Sequence, residues 1–514
     1  MSSSLMWPSG WRDQGGLKES CRRTPQERSL SRSYEENVPS NIVFVFDGLQ
    51  PDQVVPRLMP NLSEFAAAGV IFANHHSVFP TVTRVNVSSM VTGLNPGSHG
   101  LAGNRLMIRD FAGDRAISAM QPELSRVTEA GLPVLLGPTL GELLAKQGQE
   151  YVAIGVGTSG NAYLQNPTAE RTGGVTIHPD FTLPREMHES LVARFGIWPD
   201  ESLPNTSRLA HGMRILTEYV LLERNPAVTL VWSSEPDKSQ HAAGVGSSLS
   251  DTAVKEADLQ FGNLLRWLRE NGRSDDTNVV VVSDHGYSTI IRSLDIEGLL
   301  KKAGFASYGE PDGIVVAQNG GAALFYTQPG DQATTQRLAN WLMQQPWCGT
   351  ITVSDIAGEI PGTLPASLVG SQGPRAPELT VSFRWESDPN EAGYGGRVFS
   401  TDGKPGAGQH GSMSRHEIHG VMFATGPSFK SAIRLDTPSG NLDLAPTYLK
   451  ILGLTGGDGM DGRVLEEALR GGPDSSQVAV STHTHNAGLD EYRQQITVTQ
   501  VGDTSYVDEG NRVR

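Results

Sequence analysis

The sequence predicts an α/β protein built on a doubly wound, mainly parallel sheet with helices on both faces and a further region inserted late in the chain. Three observations predict it. Continuous apolar runs at 41–46, 150–155, Val228–Ser233 and 278–283 read as strands buried on both faces of a parallel sheet. Stretches of helical periodicity alternate with those runs, the pattern of a doubly wound core. Between 289 and 403 the alternation loosens into Gly, Pro and polar residues, with one helix expected over 332–345.

The ordered chain begins abruptly with NIVFVFDG (41–48), a strand closed by Asp47 and Gly48. Pro60–Ala68 follows as a helix ended by Gly69, and a second helix is expected to begin near Thr83. Residues 139–147 (TLGELLAKQ) read as a helix leading to the strand at 150–155. A long helix over 208–223 leads to Val228–Ser233, and an amphipathic one over 251–270 leads to 278–283 (NVVVVS). After the loosened segment the core resumes with a strand at 421–425 and a helix at 442–452, and an alternating stretch at 495–501 reads as an edge strand. The expected organisation is an α/β core over 39–288 and 404–470, a cap over 289–403 that shapes access to it, and a tail or edge ribbon over 471–514. Residues 1–38 are expected to be a disordered extension, or translation from an upstream start.

At 514 residues the chain can bury a large core. Its net charge of −15 argues against broad contact with nucleic acid or an anionic membrane, although bound metal would still attract an anionic substrate locally. The two cysteines, Cys21 and Cys348, supply neither a disulfide framework nor a zinc-ligand spacing, so any metal ligands must be His and carboxylate. No apolar run has the length of a membrane span. The N-terminus lacks a secretory apolar stretch and carries Glu19, Glu27, Glu35 and Glu36, which a mitochondrial transit peptide avoids. The chain is expected to be cytoplasmic.

Seven oxygen and nitrogen donors stand where strands end or helices begin: Asp47, Thr83, Asp237, His241, Asp284, His285 and His410. Each has an ordinary reading when taken alone. Asp47 can cap the turn after its strand. Thr83, in FPTVTRVN (79–86), can be a helix N-cap, or a nucleophile if a metal lowers its hydroxyl pKa. Asp237 and His241 in EPDKSQH (235–241) are four residues apart, so on a helical turn both can reach one ion. Asp284 and His285 close an apolar strand in SDHG, and His410 is flanked by glycines in GQHG (408–411). Together they suffice for two zinc-like ions, one activating a hydroxyl and one stabilising a leaving oxygen.

The stretches VFVFDG, FPTVTRVN, SMVTGLNPGSHGLAGN, EPDKSQH, VVSDHG, GQHG and LDLAPTYLKILG, spanning roughly 41–455, resemble the nucleotide pyrophosphatase/phosphodiesterase (type I phosphodiesterase) branch of the alkaline phosphatase superfamily. The resemblance implies an alkaline phosphatase-like fold and two Zn2+, with another divalent metal as the alternative in one site. It assigns one ion to Asp47, Thr83, Asp284 and His285, and the other to Asp237, His241 and His410. It makes Thr83 the nucleophile of a phospho-threonine pathway. The Asn104 amide and the Thr83 backbone N–H would bind the phosphoryl oxygen.

Two departures from the family pattern bear on the substrate. Nucleotide-cleaving members commonly carry an aromatic residue after the nucleophile, where this chain has Arg84. The lysines of related phosphonoacetate hydrolases are missing from GVGTSGN (155–161). Arg84 and Arg105 are the candidate substrate contacts, with an exposed solubilising role as the alternative for each. The expected activity is di-zinc phosphodiesterase or pyrophosphatase chemistry, with a phosphonate hydrolase as the alternative. The substrate is a small phosphate ester or phosphonate, with no nucleic-acid polymer and no membrane as partner. Two other classes are weaker. Gly155, Gly157 and Gly160 form a GxGxxG, with Asp180 twenty residues after Gly160, as in dinucleotide-binding oxidoreductases, but NAYLQNP is a poor helix start. A metal-holding pseudoenzyme would have lost Thr83 or a ligand, and none is lost. His483 and His485 read as solvated tail residues.

Overall fold

The apolar runs become adjacent strands in a computed structural model that describes residues 39–307, 310 and 313–513. The expected extension at 1–38 lies outside the described residues. Nine strands form the central sheet: β1 (Ser40–Phe46), β2 (Val70–Phe72), β3 (Tyr151–Gly155), β4 (Val175–His178), β5 (Phe181–Leu183), β6 (Val228–Ser233), β7 (Thr277–Val282), β8 (Met422–Thr425) and β9 (Ile433–Leu435). Their order is β9-β2-β8-β7-β1-β6-β3-β4-β5. The run β7-β1-β6-β3-β4 is parallel, whereas β8 and β5 join antiparallel.

Side chains of a strand alternate between faces, and β1 shows why it had to be apolar throughout. Val43 and Val45 enter a core with Met90, Leu101 and Tyr448, while Ile42, Phe44 and Phe46 enter the opposite one with Phe261 and Leu264. Phe44 meets Phe261 edge-on, with centroids 5.3 Å apart. Burying each such side chain contributes about 1.5–3 kcal/mol. Phe261 and Leu264 lie on the helix Ser248–Glu270, which starts earlier than the periodicity suggested because the Ser247 hydroxyl caps it, accepting from Ser250 N. The expected 139–147 helix is Leu140–Lys146, opened by reciprocal capping between Thr139 and Glu142. The single helix expected over 208–223 is instead an α-helix, Thr206–Ile215, running into a wider π-helical stretch, Leu216–Arg224. Sequence periodicity does not register that change of pitch.

Residues 289–403 supply all of a second, six-stranded sheet, Gly313–Asn319, Ala322–Tyr326, Leu379–Phe383 and Cys348–Val353 being its four longer strands. These pack with the helix Gln332–Met343 around a separate core that includes Leu338, Leu342 and Phe325. The 495–501 stretch is not an edge strand. It belongs to Tyr492–Val501, the central strand of an antiparallel meander with Val480–Leu489 and Thr504–Arg512. Val480–Leu489 was missed because it is polar and mostly exposed, His483 included. The meander packs Val501 and Tyr506 against Val78, Val82 and Val85, beneath the segment that carries Thr83. Among the described residues, no helix is long and apolar enough to cross a membrane.

Candidate active site

Three neighbouring parallel strands open at their carboxyl ends onto one place. β1 sits between β7 and β6, with Val45 opposite Val282 on one side and Trp232 on the other. Asp47 therefore leaves β1 beside Asp284 and His285, which follow β7, and beside Asp237, which follows β6 and begins the helix Asp237–Ala243. His241 stands one turn along that helix. Ligand sites gather at this edge of open α/β sheets because adjacent loops diverge there. His410 arrives from the short strand Gly408–Gln409, whose Gln409 pairs with Ser288 just past His285. Thr83 is the first residue of the helix Thr83–Thr92, where backbone N–H groups lack helical acceptors.

All seven donors converge. His241 Nε2 lies 3.1 Å from His410 Nε2 and 3.3 Å from Asp237 Oδ1, and His410 Nε2 lies 3.4 Å from the same Asp237 oxygen. Ligands about 2.0–2.1 Å from a tetrahedral zinc are about 3.3 Å from one another. On the other side, His285 Nε2 is 3.1 Å from Asp284 Oδ2, 3.6 Å from Asp47 Oδ1 and 3.3 Å from Thr83 Oγ1. Asp47 Oδ1 and Asp284 Oδ2 are buried oxygens without a hydrogen-bond partner. The His285 and His410 rings stack between the two groups at 3.7 Å. Oxygen and imidazole donors at these spacings are able to hold divalent metal: ligand atoms of Asp47, Asp284 and His285, and those of Asp237, His285 and His410, each lie within 4.8 Å of one another.

Neighbouring groups fix the orientation. Trp232 Nε1 donates to Asp47 Oδ2 at 2.9 Å, and Gly48 N donates to Asp284 Oδ1 at 3.0 Å. Tyr287 donates to Asp237 Oδ1 at 2.7 Å. The Nδ1 atoms of His285 and His410 meet the carbonyls of Gly286 and Thr81 at 3.0 and 2.7 Å, which turns both Nε2 atoms inward. Trp232, Tyr287 and Thr81 did not stand out in the sequence. Tyr287 follows SDHG directly and Trp232 is the penultimate residue of β6, so adjacency to the motifs was the available signal.

The electrostatics show a site short of positive charge. Burial, and then the charges of Asp284 and Asp237, push Asp47 well above the usual carboxylate range. Burial would raise Asp237 too, but His241 and His410 draw it well below. Burial lowers His241 and His285, yet the facing Asp237 and Asp284 win and raise both. Burial and the charge of His285 bring His410 down to about 4. Three carboxylates crowded around three imidazoles are the surroundings in which a cation replaces protons.

Asn104 lies beside the Thr83 helix, where its side-chain oxygen accepts from Arg84 N at 3.1 Å and its amide end is the remaining donor. Arg84 folds onto the turn between β3 and the helix Ser159–Gln165. Its Nη2 reaches Thr158 Oγ1 at 3.2 Å and Met120 Sδ at 3.0 Å, while its buried Nε has no partner. Burial lowers this guanidinium to about 10, against the pull of Asp47 and Asp237. Arg105 is exposed and lines a cleft with Asp114, Arg115, Asp295 and Glu297 that none of the seven donors lines. The GxGxxG run is followed by a helix after all, Ser159–Gln165, contrary to the sequence reading. Its glycines serve packing: a Cβ on Gly160 would fall 2.0 Å from the Ala119 carbonyl oxygen, and one on Gly155 2.9 Å from the Ala162 Cβ.

The family model for type I phosphodiesterase / nucleotide pyrophosphatase matches residues 41–412. A bis(5'-adenosyl)-triphosphatase of Xenopus laevis is 22% identical over 82% of this chain and 79% of its own length. An ectonucleotide pyrophosphatase/phosphodiesterase of Caenorhabditis elegans is 21% identical over 82% of this chain, which spans 48% of that longer protein. Murine ectonucleotide pyrophosphatase/phosphodiesterase 5, in an inactive form in complex with AMP, superposes with a TM-score of 0.57 at 17% identity, covering 81% of this chain and 96% of that one. The fold is alkaline phosphatase-like. The chain belongs to the type I phosphodiesterase / nucleotide pyrophosphatase family, a family of hydrolases.

Proposed function

We propose that the chain is a di-zinc phosphodiesterase or pyrophosphatase that hydrolyses phosphate diesters through a covalent adduct on Thr83. The observation that carries this reading is the pair of donor groups, one with edges of 3.1, 3.3 and 3.4 Å, joined by stacked His285 and His410 with Thr83 Oγ1 beside His285. When bound, two such ions supply Lewis-acid stabilisation of the nucleophilic and leaving oxygens. The chain's own residues do the rest. Thr83 Oγ1 attacks phosphorus in line, and the leaving alkoxide or phosphate departs on the side of Asp237, His241 and His410. The Asn104 amide and the Thr83 N–H stabilise the charge that develops on the phosphoryl oxygen. For a diester the adduct keeps its second ester group until water displaces Thr83.

The relatives' names point to nucleotide esters, and the murine neighbour is in complex with AMP. Arg84 departs from an aromatic base platform. Its half-buried guanidinium, whose Nε has no partner, favours a substrate with a further anionic group. The test is steady-state hydrolysis, with zinc added, of bis-p-nitrophenyl phosphate, p-nitrophenyl phosphate, a nucleoside p-nitrophenyl ester and phosphonoacetate, using Thr83→Ala as control. Diester turnover that vanishes in the variant is expected. Turnover that survives Thr83→Ala removes the nucleophile assignment, and preference for phosphonoacetate removes the diester reading.

A further inference from the structure

Away from the seven donors, a second buried cluster joins three distant parts of the chain. His76 lies on the short strand His75–His76, which pairs antiparallel with His419–Gly420 and places His76 opposite His419. Asp508 comes from the meander strand Thr504–Arg512. His76 is 1% exposed, its Nδ1 sits 3.0 Å from the Ser439 carbonyl oxygen, and its Nε2 sits 2.9 Å from Asp508 Oδ1. The His76 and His419 ring centroids are 4.6 Å apart. One ligand atom from each of the three residues lies within 4.8 Å of the others, the spacing that also unites Asp47, Asp284 and His285.

We propose that His76, His419 and Asp508 form a third divalent-metal site, which ties the C-terminal meander to the α/β core. A carbonyl oxygen only accepts, so His76 Nδ1 must carry a proton. His76 Nε2 then faces a carboxylate oxygen, and that contact needs either a second proton or a cation. The neighbouring groups hold the residues as outer partners hold metal ligands. Ser439 fixes the His76 tautomer, and the Thr499 hydroxyl donates to Asp508 Oδ2 at 2.6 Å. Burial beside His76 keeps the His419 ring neutral, the ligating form, by lowering it to about 3. Two imidazoles, a carboxylate and one open position suit zinc or a similar borderline ion. The Asp508 side chain is 19% exposed and leaves an entry path.

The site would brace the catalytic loop from behind. Ser77, next to His76, donates its hydroxyl to the Asp284 carbonyl at 2.6 Å. Glu417 and His416, just before His419, accept from Gly286 N and Tyr287 N at 2.8 and 2.9 Å. A metal here therefore acts on thermal stability, with catalytic ligation left to other residues.

The test strips the full chain with a chelator, reloads it with excess zinc, removes free metal and measures zinc per chain. Wild type should exceed Asp508→Asn by one equivalent, whatever the catalytic centre holds, and should gain more in Tm on zinc addition. Equal zinc content in the two proteins would overturn the proposal and leave a His76–Asp508 ion pair. A second measurement needs no variant. Excess zinc should slow modification of His419 by diethylpyrocarbonate in the wild-type chain, followed peptide by peptide. Unchanged His419 reactivity would equally overturn the site.

Discussion

Replacing Tyr287 by Phe removes one hydroxyl at the Asp237 side of the centre, which also meets the Asp237 carbonyl oxygen at 3.1 Å. The Tyr287 hydroxyl donates at 2.7 Å to Asp237 Oδ1, the oxygen that His241 and His410 also approach. Burial and the Asp237 charge push the phenol well above its ordinary range, so it stays a donor at any working pH. Its ring is clamped between backbones: a Cβ on Gly48 would fall 2.7 Å from the ring, and one on Gly408 2.6 Å. Phe keeps that packing and removes only the hydroxyl. A hydrogen bond to a charged acceptor contributes about 1.5–3 kcal/mol. At about 1.4 kcal/mol per tenfold, the loss amounts to about 10- to 100-fold in affinity for one ion, which is also the usual effect of removing an outer partner of a metal ligand. Competition with a chromophoric chelator measures that affinity. The accompanying activity loss should appear at limiting zinc and recover at saturating zinc. Unchanged zinc affinity would refute the argument that Tyr287 holds Asp237 for a metal.

Three further outcomes are expected. His410→Ala should lose about one equivalent of zinc by elemental analysis while remaining folded by circular dichroism; full occupancy would move the ligand elsewhere. Arg84→Ala should raise KM about tenfold or more for diesters with an extra anionic group and little for bis-p-nitrophenyl phosphate; equal effects on both would assign Arg84 to packing. His99 concerns stability. Burial lowers it from 6.5 to about 3, and its ring is held by Ser89 Oγ and Leu101 N. A depressed folded pKa contributes stability that is complete above pH 6.5 and is lost as pH falls toward 3, up to about 5 kcal/mol for this shift. His99→Gln should therefore give a shallower fall of Tm between pH 6.5 and 4 than wild type, and parallel curves would contradict it.

The sequence was most legible where physics acts locally. β1, β6 and β7 read as buried strands because both faces had to be apolar, and the donors stood out because polar groups ended those runs. The Thr83 helix start was visible from its own segment. What escaped depended on distant partners. The Leu216–Arg224 change of pitch and the polar strand Val480–Leu489 carry no period that sets them apart. Trp232, Tyr287 and Thr81 are ordinary residues until the fold brings the indole, the phenol and the Thr81 carbonyl to Asp47, Asp237 and His410. Arg105 looked equivalent to Arg84 in sequence, yet the two side chains lie in different surroundings, one exposed and the other packed against Thr158. His76 gave no sequence signal, because its carboxylate partner in the cluster is 432 residues away.

Trapping the adduct tests covalent chemistry at Thr83. Zinc-loaded enzyme is mixed with excess bis-p-nitrophenyl phosphate, quenched in acid within the first turnovers and mapped by peptide mass spectrometry. A p-nitrophenyl-phosphoryl group is expected on the peptide containing Thr83, formed with the first burst of p-nitrophenolate and absent in Thr83→Ala. A burst with an unmodified Thr83 peptide, or an adduct on another residue, would contradict that chemistry.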